Sequence, residues 1–437
     1  CQNKAGDELT LPFEKYELDN GLNVILNEDK SDPIVSVAIY YHVGSNREVP
    51  GKTGFAHLFE HMMFQQSENV PEDQFFRLIQ GAGGTLNGST NTDRTNYYET
   101  VPKNALEMVL WMESDRMGYL TNTITKEAFA IQQNVVQNEK RQSYDNRPYG
   151  HAQTVMARAM YPEGHPYSWT TIGEMKDLFN ATVEDVKDFH GRFYVPNNAT
   201  LSISGDFDPV QVKELVQKYF GELPRGPEVE KLEPMPVTLT ETKKLYHEDN
   251  FANTAQYTMA FPTTERYSKD SYALSALAEI LAGGKKSPMY SVLVKEKKLT
   301  SGVGAFNMAQ DLAGMFRISV MANPGVALAD VENAINEAFT RFETEGFNEK
   351  DLERVKAGQE TQFYNMISSV TGKSFSLAEY DIFAGDPAFY RQDMANMLAV
   401  TAEDVKRVYE TYIKGKNYVA TSFVPKGQVD KAAGGSV

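Results

Sequence analysis

Two histidines and a glutamate stand at a spacing that could hold a metal ion and activate water. The stretch Gly54–Phe64 contains His57 and His61, with Glu60 directly before the second histidine. On an α-helix, side chains four residues apart lie on one face, about 6 Å apart. Two imidazole nitrogens at this separation can hold one Zn²⁺. The Glu60 carboxylate would lie beside the ion, where it could take a proton from water and pass it to a leaving amine.

The order H-x-x-E-H is the reverse of the H-E-x-x-H motif on the metal-binding helix of zinc proteases. The chain has seven histidines in 437 residues, so a chance match has a frequency on the order of one in a hundred. The alternative is two histidines on a helix beside a solvated glutamate. The other histidines have no partner at helical spacing and are interpreted as structural: His42, His151, His165, His190 and His247.

A zinc ion with two histidine ligands needs a third protein ligand and keeps the fourth position for water. No further histidine stands in a comparable pattern, so we expect a carboxylate. The helical pattern Lys126–Ser143 contains Glu139 as its only acid after Glu127. Position alone does not exclude Glu127, Asp145 or Glu113.

The motif lies on a predicted helix, Thr53–Gln65, that follows a predicted strand, Ile34–Val43. That strand is apolar at nearly every position, as expected for a strand covered on both faces. We predict a hairpin before this strand. Asp19-Asn20-Gly21 lies between two short β-patterns, and its Asn-Gly pair suits a tight turn. The β-rich runs Thr85–Thr90 and Thr95–Val101 follow the helix.

The same order of elements recurs in the second half of the chain. The hexamers Thr182–Lys187 and Thr401–Lys406 agree at five positions and lie half a chain apart. Helix capping by threonine with acids in the first turn could explain one such match, but the matching element order favours duplication. We therefore predict an α+β fold of two homologous domains, each an antiparallel or mixed sheet with helices packed on one side.

A proline-rich stretch separates the predicted domains. Leu223–Pro236 has four prolines and no helical or strand period. The predicted organisation is an N-terminal tether at residues 1–12, a metal-binding domain at 13–222, a linker at 223–242 and a metal-free domain at 243–437.

Composition narrows the classes of partner. The chain has 43 basic and 59 acidic residues, a net charge of −16, so we expect no binding to nucleic acid. Its longest apolar run is strand-sized, so no membrane span is predicted.

The one cysteine excludes an internal disulfide framework. Cys1 precedes a polar stretch, and we predict a lipidated bacterial lipoprotein in the periplasm that contacts the membrane only through this lipid. The alternative is an incidental chain boundary.

The motifs resemble those of the M16 (pitrilysin- or insulinase-type) zinc metallopeptidases, of the two-domain type that includes the processing peptidases. The resemblance is strong over residues 13–222 and rests on element order beyond them. The matching stretches are Gly54–Phe64, Gly83–Thr90, Val135–Gln142, Asp145–Gly150 and His165–Tyr167.

This resemblance implies a fold of the LuxS/MPP-like metallohydrolase type and one Zn²⁺ per chain. It implies that His57, His61 and Glu139 hold the ion and that Glu60 is the general base. It also implies that Thr85–Thr90 is an edge strand to which a peptide adds by β-augmentation. The substrate-binding residues would be Gly84, Thr85, Leu86, Asn87, Gly88 and Ser89, with Asn87 near the scissile bond.

Several positions depart from the family pattern. Gln132 stands where an acid is usual seven residues before the third ligand, and an amide supports a metal site less strongly. Gln66 replaces a common glycine. In complete members of the family, a metal-free domain supplies an Arg and, seven residues later, a Tyr. In this chain Val294 stands at the Arg position and Ser301 at the Tyr position. The alternative is that Lys295 or Lys298 takes over the role of these residues. The resemblance therefore implies a heterodimer, in which a sister subunit supplies the Arg and Tyr.

The predicted function is a zinc-dependent endopeptidase that hydrolyses small or unfolded extended peptides in an enclosed chamber. One alternative is a non-catalytic structural or assembly subunit of the same fold. Such non-catalytic chains usually lose a residue of the motif. This chain keeps the four residues His57, Glu60, His61 and Glu139. Another alternative, a solute-binding lipoprotein, would have no use for H-x-x-E-H.

Overall fold

The computed structural model describes residues 10–435. The strands are β1 (Glu14–Glu17), β2 (Asn23–Glu28), β3 (Ile34–Tyr41), β4 (Thr85–Thr90), β5 (Thr95–Pro102), β6 (Ala199–Gly205), β7 (Lys243–Asp249), β8 (Gln256–Thr263), β9 (Thr300–Ala309), β10 (Gly314–Ala322) and β11 (Val419–Pro425). The helices are α1 (Phe55–Met63), α2 (Gln74–Gly81), α3 (Leu106–Tyr119), α4 (Lys126–Lys140), α5 (Ala152–Met160), α6 (Met175–Asn180), α7 (Val183–Phe193), α8 (Pro209–Phe220), α9 (Lys269–Ala282), α10 (Leu328–Glu345), α11 (Glu349–Met366), α12 (Val370–Ala384), α13 (Tyr390–Leu398) and α14 (Ala402–Tyr412).

The chain forms two compact units. The first contains the described part of Cys1–Val136 together with Thr171–Lys231 and Gln362–Asp393. The second contains Gln137–Thr170, Leu232–Thr361 and the described part of Met394–Val437. The domain limits predicted above stay a prediction, because compact units need not coincide with the units of a duplication.

The first unit is built on a six-stranded sheet in the order β1-β2-β6-β3-β5-β4. The β2–β6 pair is parallel and the other pairs are antiparallel. The hairpin predicted around Asn20-Gly21 forms, with Gly21 at φ 90°, a conformation that glycine adopts at no steric cost. The strand β4 is the last in the order, so it lies at an edge of this sheet.

Strand β3 is covered on both faces, as its apolar run predicted. Seven of its eight residues are buried. On one face, Tyr41 packs against Tyr97 and Tyr194. On the other, Tyr40 packs against Phe375 of α12. Helix α12 comes from the second half of the sequence, so that half supplies a cover for the first sheet.

The second unit repeats this arrangement with five strands in the order β7-β11-β8-β10-β9. It also has one parallel pair, β7–β11, and ends in an edge strand, β9. Its main core contains side chains of β8 and β10 together with α9, α10 and α14. A smaller apolar cluster joins α5 to the opposite face of the sheet through Met156, Met160, Ala260 and Val419.

The α+β fold with two sheet-and-helix halves is therefore confirmed. Both repeated hexamers begin a helix, α7 and α14, and in each the threonine and the aspartate three residues later form a capping box. Across residues 10–435, no helix combines the length and the apolar character that a membrane crossing requires. Cys1, the predicted site of lipidation, lies outside the described residues.

Candidate metal centre and peptide-binding strand

Helix α1 carries the H-x-x-E-H motif and is fixed by its apolar residues. It is shorter than predicted, because Gly54 adopts φ 84° and the helix begins at Phe55. Its buried side chains are Phe55, Ala56, Leu58, Phe59, Met62 and Met63. This packing leaves His57, Glu60 and His61 half-buried. The two imidazole ring centroids lie 4.8 Å apart, with the rings nearly perpendicular at 85°.

A buried carboxylate holds the start of this helix. Glu48 accepts hydrogen bonds from the backbone N–H groups of Phe55, at 2.6 Å, and Ala56, at 3.4 Å. These are among the donors that have no partner within a helix. Burial raises the pKa of Glu48 well above its usual range, although the backbone hydrogen bonds act in the opposite direction. No local capping motif signals this contact, so sequence reasoning missed it.

The third predicted ligand approaches the two histidines. One nitrogen of His57, one nitrogen of His61 and a carboxylate oxygen of Glu139 lie within 4.8 Å of one another. Glu139 is on α4. Within the described part of the chain, this is the one group of three or more His, Cys, Asp or Glu that could hold a metal.

The other acids that the sequence left open lie in different surroundings. Glu113 is buried and binds Arg116. An Asp145 oxygen lies 3.6 Å from His151 Nε2. Glu127 is exposed in the first turn of α4. The geometry therefore favours Glu139 over the three alternatives, and its role as a ligand stays a prediction.

The last residue of strand β4, Thr90, contacts Glu60, the candidate general base. The Thr90 hydroxyl donates a hydrogen bond of 2.5 Å to Glu60 Oε2. A hydroxyl that donates to one oxygen of a carboxylate limits the rotation of the group. Thr90 was predicted only as part of the strand, and its contact with Glu60 was not foreseen.

The residues of the predicted substrate strand line up along β4 and just before it. Thr85 and Asn87 are exposed, whereas Gly84, Leu86, Gly88 and Ser89 are half-buried. Residues 85–90 pair with β5 on one side only. A Cβ at Gly88 would lie 3.0 Å from the ring of Phe64, so a larger side chain would crowd the residue that ends α1. Their role in binding substrate stays a prediction.

A buried ion network supports the strands behind the site. The fully buried Arg116 donates hydrogen bonds to Glu99 of β5 and to Glu113. Its guanidinium carbon lies 4.3 Å from the ring centroid of Tyr97 and 5.2 Å from that of Phe64. A charge buried this deeply requires such partners, so the network fixes β5 against the end of α1.

The positions that depart from the family pattern can also be placed. Gln132 is buried on α4, two turns before Glu139. The Gln66 side chain donates to the Thr123 carbonyl at 3.3 Å. In the second unit, Val294 is half-buried in a π-helical turn, Tyr290–Glu296, and Ser301 is exposed on β9.

Two family models match this chain. Residues 23–168 match "Insulinase (Peptidase family M16)", and residues 180–359 match "Peptidase M16 inactive domain". The chain belongs to the M16 family of peptidases. The two matched regions follow one another along the chain, as expected for the two-domain M16 organisation.

Named relatives extend the M16 similarity over nearly the whole chain. The chain is 29% identical over 408 residues to "Zinc protease PqqE" of Helicobacter pylori, covering 92% of this chain and 90% of that protein. It is 22% identical to "Probable mitochondrial-processing peptidase subunit beta, mitochondrial" of Arabidopsis thaliana, covering 93% and 77%. A solved protease structure from Helicobacter pylori superimposes with a TM-score of 0.87 at 27% identity, covering 95% of this chain and 99% of that one.

A buried histidine lies directly behind helix α1. The His190 ring lies 4.9 Å from that of Phe59 on α1 and is stacked parallel to Tyr194. Its Nε2 atom has no hydrogen-bond partner among the described residues. Burial lowers the pKa of His190 from 6.5 to about 4, so the folded protein holds this ring neutral over a wide acidic range.

We predict a stability loss from His190 on acidification. Between pH 6.5 and about 4 the unfolded chain binds a proton that the folded chain does not, so the free energy of unfolding falls with decreasing pH. The contribution is absent above pH 6.5 and reaches about 3 kcal/mol near pH 4. Urea unfolding of the metal-free chain and of His190→Phe at pH 7 and pH 4 measures it. Equal pH dependence in the two proteins would contradict the prediction.

Proposed function

We propose that this chain is a zinc-dependent endopeptidase subunit that hydrolyses small or unfolded extended peptides in an enclosed chamber. One observation carries the proposal: His57, His61 and Glu139 converge within metal-binding distance while Glu60 lies on the same helix as the histidines. The alternative of a non-catalytic subunit is less favoured, because the two imidazoles and both carboxylates of this group are present together.

The chemistry of the three converging groups fits zinc. Two imidazole nitrogens and one carboxylate oxygen leave one position open for water, as in catalytic zinc sites. In a tetrahedral site the ligand atoms stand on the order of 3.5 Å apart, so the 4.8 Å limit is compatible with small side-chain adjustments. A zinc ion bound there would supply Lewis acidity toward water and a peptide carbonyl.

Glu60 would carry the proton transfers. Its carboxylate takes a proton from the attacking water as the water oxygen bonds to the peptide carbonyl carbon. The carbon–nitrogen bond then breaks, and Glu60 delivers the proton to the departing nitrogen. The hydrogen bond from Thr90 to one carboxylate oxygen limits rotation of the group.

The edge strand β4 would hold the substrate. Its outer side offers backbone hydrogen-bonding groups to an extended peptide, the geometry of β-augmentation. Because Thr90 ends this strand and touches Glu60, a peptide aligned beside Asn87 would be registered relative to the base. Backbone pairing is independent of side chains, so this strand favours extended, unfolded segments over folded proteins.

Zinc content and peptide turnover test the proposal together. We expect about one zinc per chain by mass spectrometry of the metal. Glu60→Gln should keep the zinc and lower the turnover of a quenched extended peptide at least about 10²-fold, since it removes only the base. Glu127→Gln, an exposed change on α4, is the matched control and should retain both properties.

The ligand set has its own contradicting outcome. His57→Ala and Glu139→Ala should each lose most of the bound zinc. If Glu139→Ala keeps full zinc while Asp145→Ala loses it, the third ligand is wrongly assigned. A Glu60→Gln protein that cleaves the peptide at the unaltered rate would refute the mechanism.

We further propose a heterodimer with a sister M16 subunit. Val294 has no hydrogen-bonding side chain, and the Ser301 hydroxyl is far shorter than a phenol, so neither replaces the Arg and Tyr of complete members. The similarity to a protein named as a processing-peptidase subunit supports a paired arrangement. The sister would bring the Arg and Tyr, and this chain the zinc.

The heterodimer predicts a dependence on the second chain. The purified chain alone should bind zinc yet cleave peptides slowly, and activity should rise at least about 10-fold when a sister subunit with the Arg and Tyr is added. A sister in which that Arg is replaced by Ala is the control and should not restore activity. Full activity in a preparation that contains only this chain would sink the idea.

A further inference from the structure

One end of the second sheet presents an uncovered face, here named the β9 face. It consists of Arg317, Ser319 and Met321 on β10 with Gly304 and Phe306 on β9. Arg317 stands opposite Phe306, and Ser319 stands opposite Gly304. Directly opposed residues of antiparallel strands share a face. The alternate β10 residues, such as Phe316 and Ile318, lie in the core on the other side.

The β9 face is open to solvent. Phe306 is 46% exposed and Met321 is 39% exposed. A Cβ placed on Gly304 would have no atom within 4 Å, so the space above that residue is empty of protein. Helix α5 covers this side of the sheet around Ala260 and Val419, which leaves the β9 end as the open part.

Arg317 is a half-buried cation without an acidic partner. Its Nε donates to Ser319 Oγ at 3.2 Å, and no carboxylate of the described residues lies within ion-pair distance of it. Burial lowers its pKa, although an arginine stays charged. Four other arginines of the second unit each pair with an acid, namely Arg266, Arg341, Arg354 and Arg407.

The hydrogen bond to Ser319 brings the guanidinium toward the empty position at Gly304. Neighbouring strands lie about 4.8 Å apart, so a group above Gly304 is within reach of an arginine on β10. Guanidinium has five N–H donors in a planar fork, and the bond to Ser319 uses only one of them. The remaining donors match the two oxygens of a carboxylate.

We propose that Arg317 binds an acidic side chain, Asp or Glu, of an extended peptide lying over the β9 face. The inference rests on the proposed function, because it takes a peptide as the ligand. Exposed apolar side chains stand on both sides of the empty position at Gly304, with Phe306 two residues along β9 and Met321 two residues beyond Ser319 on β10. They would contact the residues before and after the acid, so an internal acidic residue fits better than a chain terminus.

The overall charge makes such a local cation necessary for acidic peptides. The chain has a net charge of −16 and repels acidic ligands at long range. A cation that is partly withdrawn from water interacts with a carboxylate more strongly than a fully solvated one. Arg317 would therefore select peptides by the position of one acid.

Peptide binding to the full chain in a Glu60→Gln background tests the proposal without hydrolysis. The probes are two fluorescein-labelled, C-terminally amidated extended peptides that differ by one internal Glu or Gln between apolar residues. Fluorescence anisotropy should show at least about 10-fold tighter binding of the Glu peptide. Arg317→Gln should reduce this ratio to about one. Arg354→Gln, which removes an exposed arginine on α11, is the control and should retain it.

A second variant and peptide keep the test independent of folding defects. Arg317→Glu should reverse the preference toward a matched peptide with Lys at the same position. An unchanged Glu-to-Gln ratio in Arg317→Gln would overturn the proposal. A preference that appears only with a free C-terminal carboxylate would also overturn it, since the site would then bind the terminus. If the zinc-loaded chain with native Glu60 cleaves no peptide even with a sister subunit, while Arg317-dependent binding stays intact, the proposed function alone is refuted.

Discussion

The hydrogen bonds from the start of α1 to the buried Glu48 carboxyl are the constraint on which the candidate site depends. His57 lies two residues after Phe55, the first backbone donor to Glu48. Burying a carboxyl group is costly unless hydrogen bonds compensate it, and the N-terminal N–H groups of a helix supply both donors and a favourable dipole. The same contact therefore satisfies the carboxyl group and fixes the direction of the helix that presents both histidines and Glu60.

The opposite end of α1 is fixed by a second buried charge. Arg116 stacks on the rings around Phe64 and binds Glu99 on β5. Strand β5 in turn aligns β4 through their antiparallel register. The helix and the edge strand thus meet at a set position, and the hydrogen bond between Thr90 and Glu60 is the point where they touch. Catalysis by proton transfer depends on such positioning, because the base must stay within hydrogen-bond reach of the reacting water.

Much of the fold could be predicted because local patterns and tertiary packing agree. The apolar run of β3, the Asn-Gly turn and the periodic helices all appear near their predicted positions. The buried polar contacts could not be predicted. Glu113 and Arg116 are charged side chains that composition alone would place at the surface, yet both are fully buried and bind one another. Glu48 lies outside any capping motif, and the cover of β3 by α12 joins residues more than 300 positions apart. Spacing revealed the two histidines and left four acids open, and the family resemblance pointed to Glu139. The fold brings that acid close to both histidines.

The most direct test is a crystal structure of the zinc-loaded full chain with anomalous diffraction recorded on both sides of the zinc absorption edge. The account predicts one strong zinc peak, about 2.0–2.2 Å from a nitrogen of His57, a nitrogen of His61 and an oxygen of Glu139. Glu60 should lie beside the ion without binding it. A zinc peak at another group of residues, or one that Glu60 ligates in place of Glu139, would contradict the account.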